Sequence, residues 1–202
     1  MPILQTESET AIVQRALGLA ESANSFDSLE DDSDEAREGR LRYDHRRRVI
    51  LEAIDWNFAR ARIASVAAQP NAFPANQPYA YALPPNLLRV RNVMVGTRPV
   101  SWSRERLIYA AEPNAQIVYT WDERNPVLFS PIFTSALEYL LAADFSMIFA
   151  RSVNRQQVML QELRRVMQDA DEIEGMERSD DCAYATGGWV DAIEIPHFGG
   201  RI

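Results

Sequence analysis

The sequence has no lysine: all 21 of its basic side chains are arginine. Two explanations stay open, the codon preference of a GC-rich genome and a use for planar, multidentate guanidinium groups at subunit contacts. Cys182 is the only cysteine, which excludes an intrachain disulfide and a thiolate metal cluster. With only His45 and His197 besides, a structural zinc site is excluded as well. No stretch reaches the roughly 18 uninterrupted apolar residues that a membrane-spanning helix needs, and Met1 to Thr6 lacks the basic and apolar regions of a signal peptide. The expected location is therefore the cytoplasm until assembly, with no membrane partner. The net charge of −8 argues against general affinity for DNA, a polyanion bound mainly by exchanging counterions for Lys and Arg. Gly187-Gly188 and Gly199-Gly200 lack the following helix and lysine of a phosphate-binding loop.

What is present fits a globular protein with 47% hydrophobic and 25% charged residues. A length of 202 residues suffices for one domain with a real core. Ile12, Val13, Ala16, Leu17 and Ala20 share one face of a first helix over about 6–20, with Ser8 as a cap. An acidic stretch, Asp27 to Glu35, leads into a second helix over about 33–66, where its carboxylates suit the positive end of the helix dipole. In that helix Ile50, Ile54, Phe58 and Ala61 form a stripe widened by Val49, Ala53, Trp56 and Ile63, while Gly39 weakens the first turns. Five prolines between Pro70 and Pro85 forbid helix next. Strand candidates follow in a β insert over about 79–121: Tyr79 to Ala82, Leu87 to Val95, Val100 to Trp102, Leu107 to Ala110 and Gln116 to Trp121.

Ser130-Pro131 opens a third helix, over about 130–151, as cap and first helical residue. Asn154 and Gln157 resemble the capping box of a fourth, over about 154–174, with Val158, Leu163, Val166, Met167 and Ala170 inward. The expected fold class is mainly α: a four-helix bundle-like body, residues 1–178 as a single domain, with a small antiparallel β insert. Residues 179–202 form an extended C-terminal tail. Trp189, Val190, Ile193, Ile195 and Phe198 give this tail more apolar surface than a solvated segment keeps. Docking onto another chain is preferred over folding back onto its own subunit.

The candidate charged face is Arg37, Arg40, Arg46, Arg47 and Arg48, with Arg42, around Asp44 and His45. Helical spacing can spread these groups along a nucleic-acid backbone. An ion-paired helix face or an inter-subunit contact is favoured, because acidic residues lie just before them. Asp44 and His45, adjacent on a helix, point in different directions and form no acid–base pair. No nucleophile elbow precedes a helix. Asp122-Glu123 and the group Asp169, Asp171, Glu172 and Glu174 lack the alternation of an EF-hand loop and read as solvated faces. No catalytic, cofactor or metal site is expected, and the chain is not expected to be an enzyme.

The chain resembles the head-to-tail adaptor (connector) proteins of tailed bacteriophages, including podovirus tail tubular protein A, head-completion proteins and gene-transfer-agent homologues. The resemblance rests on the N-terminal helix, the acidic link Asp27 to Glu35, and the arginine-bearing helix ending Asp55-Trp56-Asn57-Phe58-Ala59. It continues through Leu83-Pro84-Pro85-Asn86-Leu87-Leu88-Arg89-Val90, Ile117-Val118-Tyr119, Asn125-Pro126-Val127-Leu128-Phe129 and the helix Ala136 to Ala150. It is a likeness of pattern and order over nearly the whole length. It implies a ring, a dodecamer in this family, between the portal protein and the next neck or tail component. DNA would pass through the channel without sequence-specific binding, and the protein would end in the neck of a virion or phage-like particle after assembly in a bacterial cytoplasm.

Overall fold

A computed structural model of the chain describes residues 7–22, 24–64, 69–70 and 76–177. Its helices are α1 (Glu9–Leu19), α2 (Asp34–Ala53), α3 (Pro131–Ile148) and α4 (Val153–Met176). Its strands are β1 (Arg60–Ile63), β2 (Gln69–Pro70), β3 (Tyr79–Tyr81), β4 (Leu87–Val95), β5 (Arg98–Pro99), β6 (Trp102–Arg104), β7 (Ile108–Ala110) and β8 (Gln116–Trp121).

Each helix opens on a serine. The side chains of Ser8, Ser33, Ser130 and Ser152 accept from the backbone N–H groups of Ala11, Ala36, Phe133 and Arg155. Each satisfies a donor that has no partner within the helix. The fourth cap differs from the expected Asn154: Ser152 lies two residues earlier, and α4 begins at Val153.

α3 is the central helix, with α1, α2 and α4 all packed on it. It is apolar on several sides, and Phe133, Ala136, Leu137, Leu141, Ala142, Ala143 and Phe145 are buried. An aromatic group holds the junction with the chain after α2. The Trp56 and Phe133 rings meet edge to face with centroids 5.1 Å apart, and Phe129 and Phe133 are 4.7 Å apart. Gly39 of α2 packs closely on Val13 of α1. A Cβ there would stand 2.8 Å from Val13 Cγ1 and 3.0 Å from Leu29 Cδ2.

The mainly α, four-helix bundle-like expectation is corrected to a mixed α/β fold with two antiparallel sheets. One sheet has the order β1-β8-β4-β5 and the other β2-β3-β7-β6. They share a core of their own, separate from the helical one. Tyr81, Val90, Val93, Val100, Ile108, Ala110, Ala115, Ile117 and Tyr119 form it, whereas α1 to α4 pack around the other.

The expected helix over 33–66 also ends early. α2 stops at Ala53, and Ile54 is extended with φ −116° and ψ 156°. After a 3-10 turn at Asn57–Ala59 the chain enters β1, where Ala61 pairs with Tyr119 and Ile63 with Ile117. Neither Gly nor Pro stands at this stop. Groups from elsewhere take the carbonyls that the helix leaves open. The Trp56 indole N–H donates to Ile50 O at 2.8 Å, Arg89 Nη1 to Glu52 O at 3.0 Å, and Arg91 Nη2 to Leu51 O at 3.0 Å and Glu52 O at 3.1 Å. Arg91 Nη2 also reaches Ile54 O, and its Nε donates to Thr120 Oγ1 at 2.7 Å. α1 ends in the same manner. It has no basic residue in its last turn, and Arg155 of α4 donates to Leu19 O at 2.8 Å. Both helix C-termini thus receive their cation from another element.

Candidate interaction surfaces

α2 lies between α3 on one side and the β8 end on another, and its arginines divide accordingly. Arg46 faces α3 and grips Asp144 through two hydrogen bonds, Nε to Oδ2 at 2.7 Å and Nη2 to Oδ1 at 2.8 Å. This is the planar, two-pronged pairing that a guanidinium permits and an ammonium does not. Arg42 joins the pair at 3.9 Å and binds Glu38 at 3.1 Å. Arg47 faces the other way with a side chain only 1% exposed. It lies 2.6 Å from Asp44 and 2.7 Å from Asp122, and donates to Glu123 O at 2.5 Å. Arg48 is 3.3 Å from Asp44 and 3.2 Å from Asp122. Arg124 adds a third guanidinium to Asp122 at 3.5 Å.

This cluster sets its own protonation. Burial works against the charge on Arg47, but Asp44 and Asp122 hold its proton affinity above the ordinary value. Burial also opposes ionisation of Asp44, and Arg47, Arg48 and Arg124 outweigh it and hold that carboxyl below the usual range. Next to them the Tyr43 hydroxyl is buried and has no hydrogen-bond partner among the described residues, and burial pushes its pKa up.

Of the five charged-face residues, Arg37 is exposed and pairs with Asp34 on its own helix. Arg40 turns back to the loop before α2 and donates to Leu29 O and to Asp31 O at 3.1 Å. Arg46 and Arg47 are held in intrachain pairs, and Arg48 lies at the rim. Buried Arg47 presents no guanidinium to DNA or to a neighbouring subunit. The outward stripe of α2 is Leu41, 67% exposed, then His45 and Val49, 40% exposed. Val49 was expected inward. The tail residues Trp189, Val190, Ile193, Ile195 and Phe198 lie outside the described residues.

Several residues that hold the fold together show their role only in the structure. Asp122 and Glu174, read as members of solvated faces, are both buried. Glu174 accepts the Asn57 N–H at 2.7 Å, and the Asn57 amide donates to Glu174 O at 3.3 Å, fastening the end of α4 to the turn after α2. Asp55 sits 3.1 Å from Arg60 and 3.7 Å from Arg91. A visible signal existed for Asp144, a lone carboxylate in the apolar run Leu140 to Ile148. None existed for Arg91, whose partners lie about 40 residues away in the chain.

Charge is divided along the chain. Residues 55–121, which include all eight strands, carry seven arginines against three carboxylates. Residues 1–54 carry seven against twelve, and residues 122–177 five against ten. The β module is thus the one basic part of an acidic chain. A shallow cleft of about 400 Å³ between β4 and the β5–β6 segment is lined by Arg91, Asn92, Pro99, Val100, Ser101 and Trp102. Arg91 and Asn92 both have intrachain hydrogen bonds there. Among the described residues no group of three or more His, Cys, Asp or Glu side chains is placed to hold a metal ion. No described helix is long and apolar enough to cross a membrane.

The fold defines a mixed α/β protein, a helical body centred on α3 with a two-sheet β module inserted between its second and third helices. No protein-family model matches the chain, and no curated protein matches it.

Proposed function

We propose that the chain is a structural head-to-tail adaptor subunit. It forms a ring, with twelve copies as the family expectation, between the portal and the next neck or tail component of a phage or phage-like particle. DNA passes through the channel of the ring. The observation that carries this reading is the order of parts in space. The chain leaves the helical layer after α2, builds both sheets, and returns to place α3 at the centre of the same body. That is the sequence of parts on which the likeness to adaptor proteins rests, and a scaffold braced by charge pairs suits a load-bearing ring. The apolar tail residues from Trp189 to Phe198 are the proposed contact with the portal or the next component.

The test looks for a portal gene among the reading frames beside this one and co-expresses the two proteins, followed by purification on a portal tag and electron microscopy. The expected result is a ring of adaptor density on one face of the portal, lost when residues 186–202 are deleted while the circular dichroism spectrum is kept. Absence of any complex from the full chain would sink the adaptor reading. The rival reading is a packaging or regulatory protein that binds DNA through α2. It requires free guanidinium groups, and all five expected there bind carboxylates or carbonyls of the same chain, Arg37 through an exposed pair with Asp34.

A further inference from the structure

α2 spans 20 residues, about 30 Å at 1.5 Å per residue, and the chain hangs opposite charges on its two ends. Before its N-terminus stands a loop whose carboxylates Asp27, Glu30 and Asp32 are exposed. The loop is built and not slack. Phe26 and Leu29 are buried beneath it, and Asp31 accepts from the Asp27 and Ser28 N–H groups at 2.9 and 3.0 Å. Those two N–H groups hold the Asp31 carboxyl below its usual range. Arg40 fastens the loop to α2 through Leu29 O and Asp31 O. Asp27, Glu30 and Asp32 are then left to face outward.

At the other end of α2, Arg89 and Arg91 join the β module to the helix. Beside Arg89, Arg104 donates to Leu88 O at 2.9 Å and leads into the β6–β7 hairpin, closed by Glu105 N–H to Leu107 O at 2.9 Å. Arg106 at its tip is exposed, and Leu107 beside it is 38% exposed. The single carboxylate of this hairpin is Glu105.

We propose that copies of this chain associate head to tail, the basic Arg89, Arg104 and Arg106 pole of one meeting the acidic Asp27, Glu30 and Asp32 loop of the next. The proposal rests on the ring reading above and names its contact. Two different patches that complement each other on one subunit make a heterologous contact, the kind that closes into a ring. A second copy is favoured over nucleic acid because the matching pole is present in the same chain. A duplex approaching the β module would also meet the acid-rich helical segments. A loop already held by Asp31 and Arg40 loses little freedom on binding.

The test uses the full chain, alone and with portal, by sedimentation and mass photometry over a salt series. One variant carries Arg104→Glu and Arg106→Glu. A second carries Arg106→Glu alone, which removes no hydrogen bond or ion pair among the described residues. A third carries Asp27→Arg, Glu30→Arg and Asp32→Arg. The wild type is expected to form oligomers that weaken as salt rises, and each reversal to weaken association by at least about tenfold. An equimolar mixture of the first and third variants is expected to recover it, because both junctions in an alternating ring then join opposite charges. Reversed variants that associate like the wild type, or a mixture that does not recover, overturn the pairing and leave the ring reading in place. A wild type that never associates, alone or on portal, overturns both. Unchanged association with lost binding to a duplex of about 20 base pairs assigns the basic pole to nucleic acid and overturns the proposal.

Discussion

Replacement of Arg47 by methionine tests whether the α2 arginines serve the interior. The guanidinium is 1% exposed and is shared by Asp44, Asp122 and the Glu123 carbonyl. Methionine fills a similar volume and donates nothing, so Asp122, itself buried, keeps only Arg48 at 3.2 Å and Arg124 at 3.5 Å. Breaking one side of a buried pair costs about 3–5 kcal/mol. The two remaining cations place Arg47→Met at the lower end, about 3 kcal/mol, or a fall in Tm of about 6–12 °C for a chain of this size. The double variant Arg47→Met, Asp122→Leu removes the stranded carboxylate and is expected to regain at least half of the loss. Arg37→Ala, at an exposed pair, is expected within about 0.5 kcal/mol of the wild type. Urea unfolding followed by circular dichroism and by tryptophan fluorescence measures all three. An Arg47→Met variant within about 1 kcal/mol of the wild type, or a double variant weaker than the single one, would refute the reasoning.

Gly39→Ala gains about 1 kcal/mol in helix propensity but drives a Cβ against Val13 and Leu29; a net loss of about 1–2 kcal/mol in urea is expected. Arg151 has φ +48° in the exposed turn between α3 and α4, so Arg151→Gly is expected to raise stability by about 0.5–1 kcal/mol by thermal unfolding, unlike Arg151→Ala. Arg91→Met leaves the Leu51 and Ile54 carbonyls without this donor and Glu52 O with Arg89 and is expected to cost about 3–5 kcal/mol, with Arg91→Lys in between. Burial raises the Glu138 pKa against the pull of Arg15. A carboxyl raised in the fold binds its proton before the unfolded chain does, so its penalty is full at neutral pH and lifts as pH falls through the folded pKa. Stability is therefore expected to rise from pH 7 toward about pH 5, above the unfolded glutamate value. That slope should shrink in Glu138→Gln; an equal slope in urea midpoints of both proteins would remove Glu138 as its cause.

The helices were legible where a local signal exists. Ser8, Ser33 and Ser130 sit where caps must sit, and Ile12, Val13, Ala16 and Leu17 are all buried as their spacing requires. Strands β3, β4, β7 and β8 fell close to their expected places because prolines and polar turns bound them. The end of α2 was illegible because its stop is tertiary. The side chains that take its carbonyls include two from β4, and the stripe from Ile54 to Ile63 fits a helix until β8 supplies a partner for it. The size of the β module was hidden for the same reason, since β1 looks helical alone. As for the charged face, residue types disclosed the arginines but not their directions. Arg46 and Arg47 are neighbours in sequence and turn to opposite sides of one helix.

The borrowed caps on α2 have a consequence for how the molecule opens. The last turn of this helix belongs to the helical body by position, yet the side chains that donate to its Leu51 and Glu52 carbonyls are carried by β4. Loosening the β module strips those carbonyls of their partners, so the Leu51 to Ala53 amides should exchange with the sheets and not with the first turns of their own helix. The border between cooperative units then crosses α2 itself. Force applied to the β module would reach the helical body first through a fraying helix end, with the α3 core giving way only afterwards.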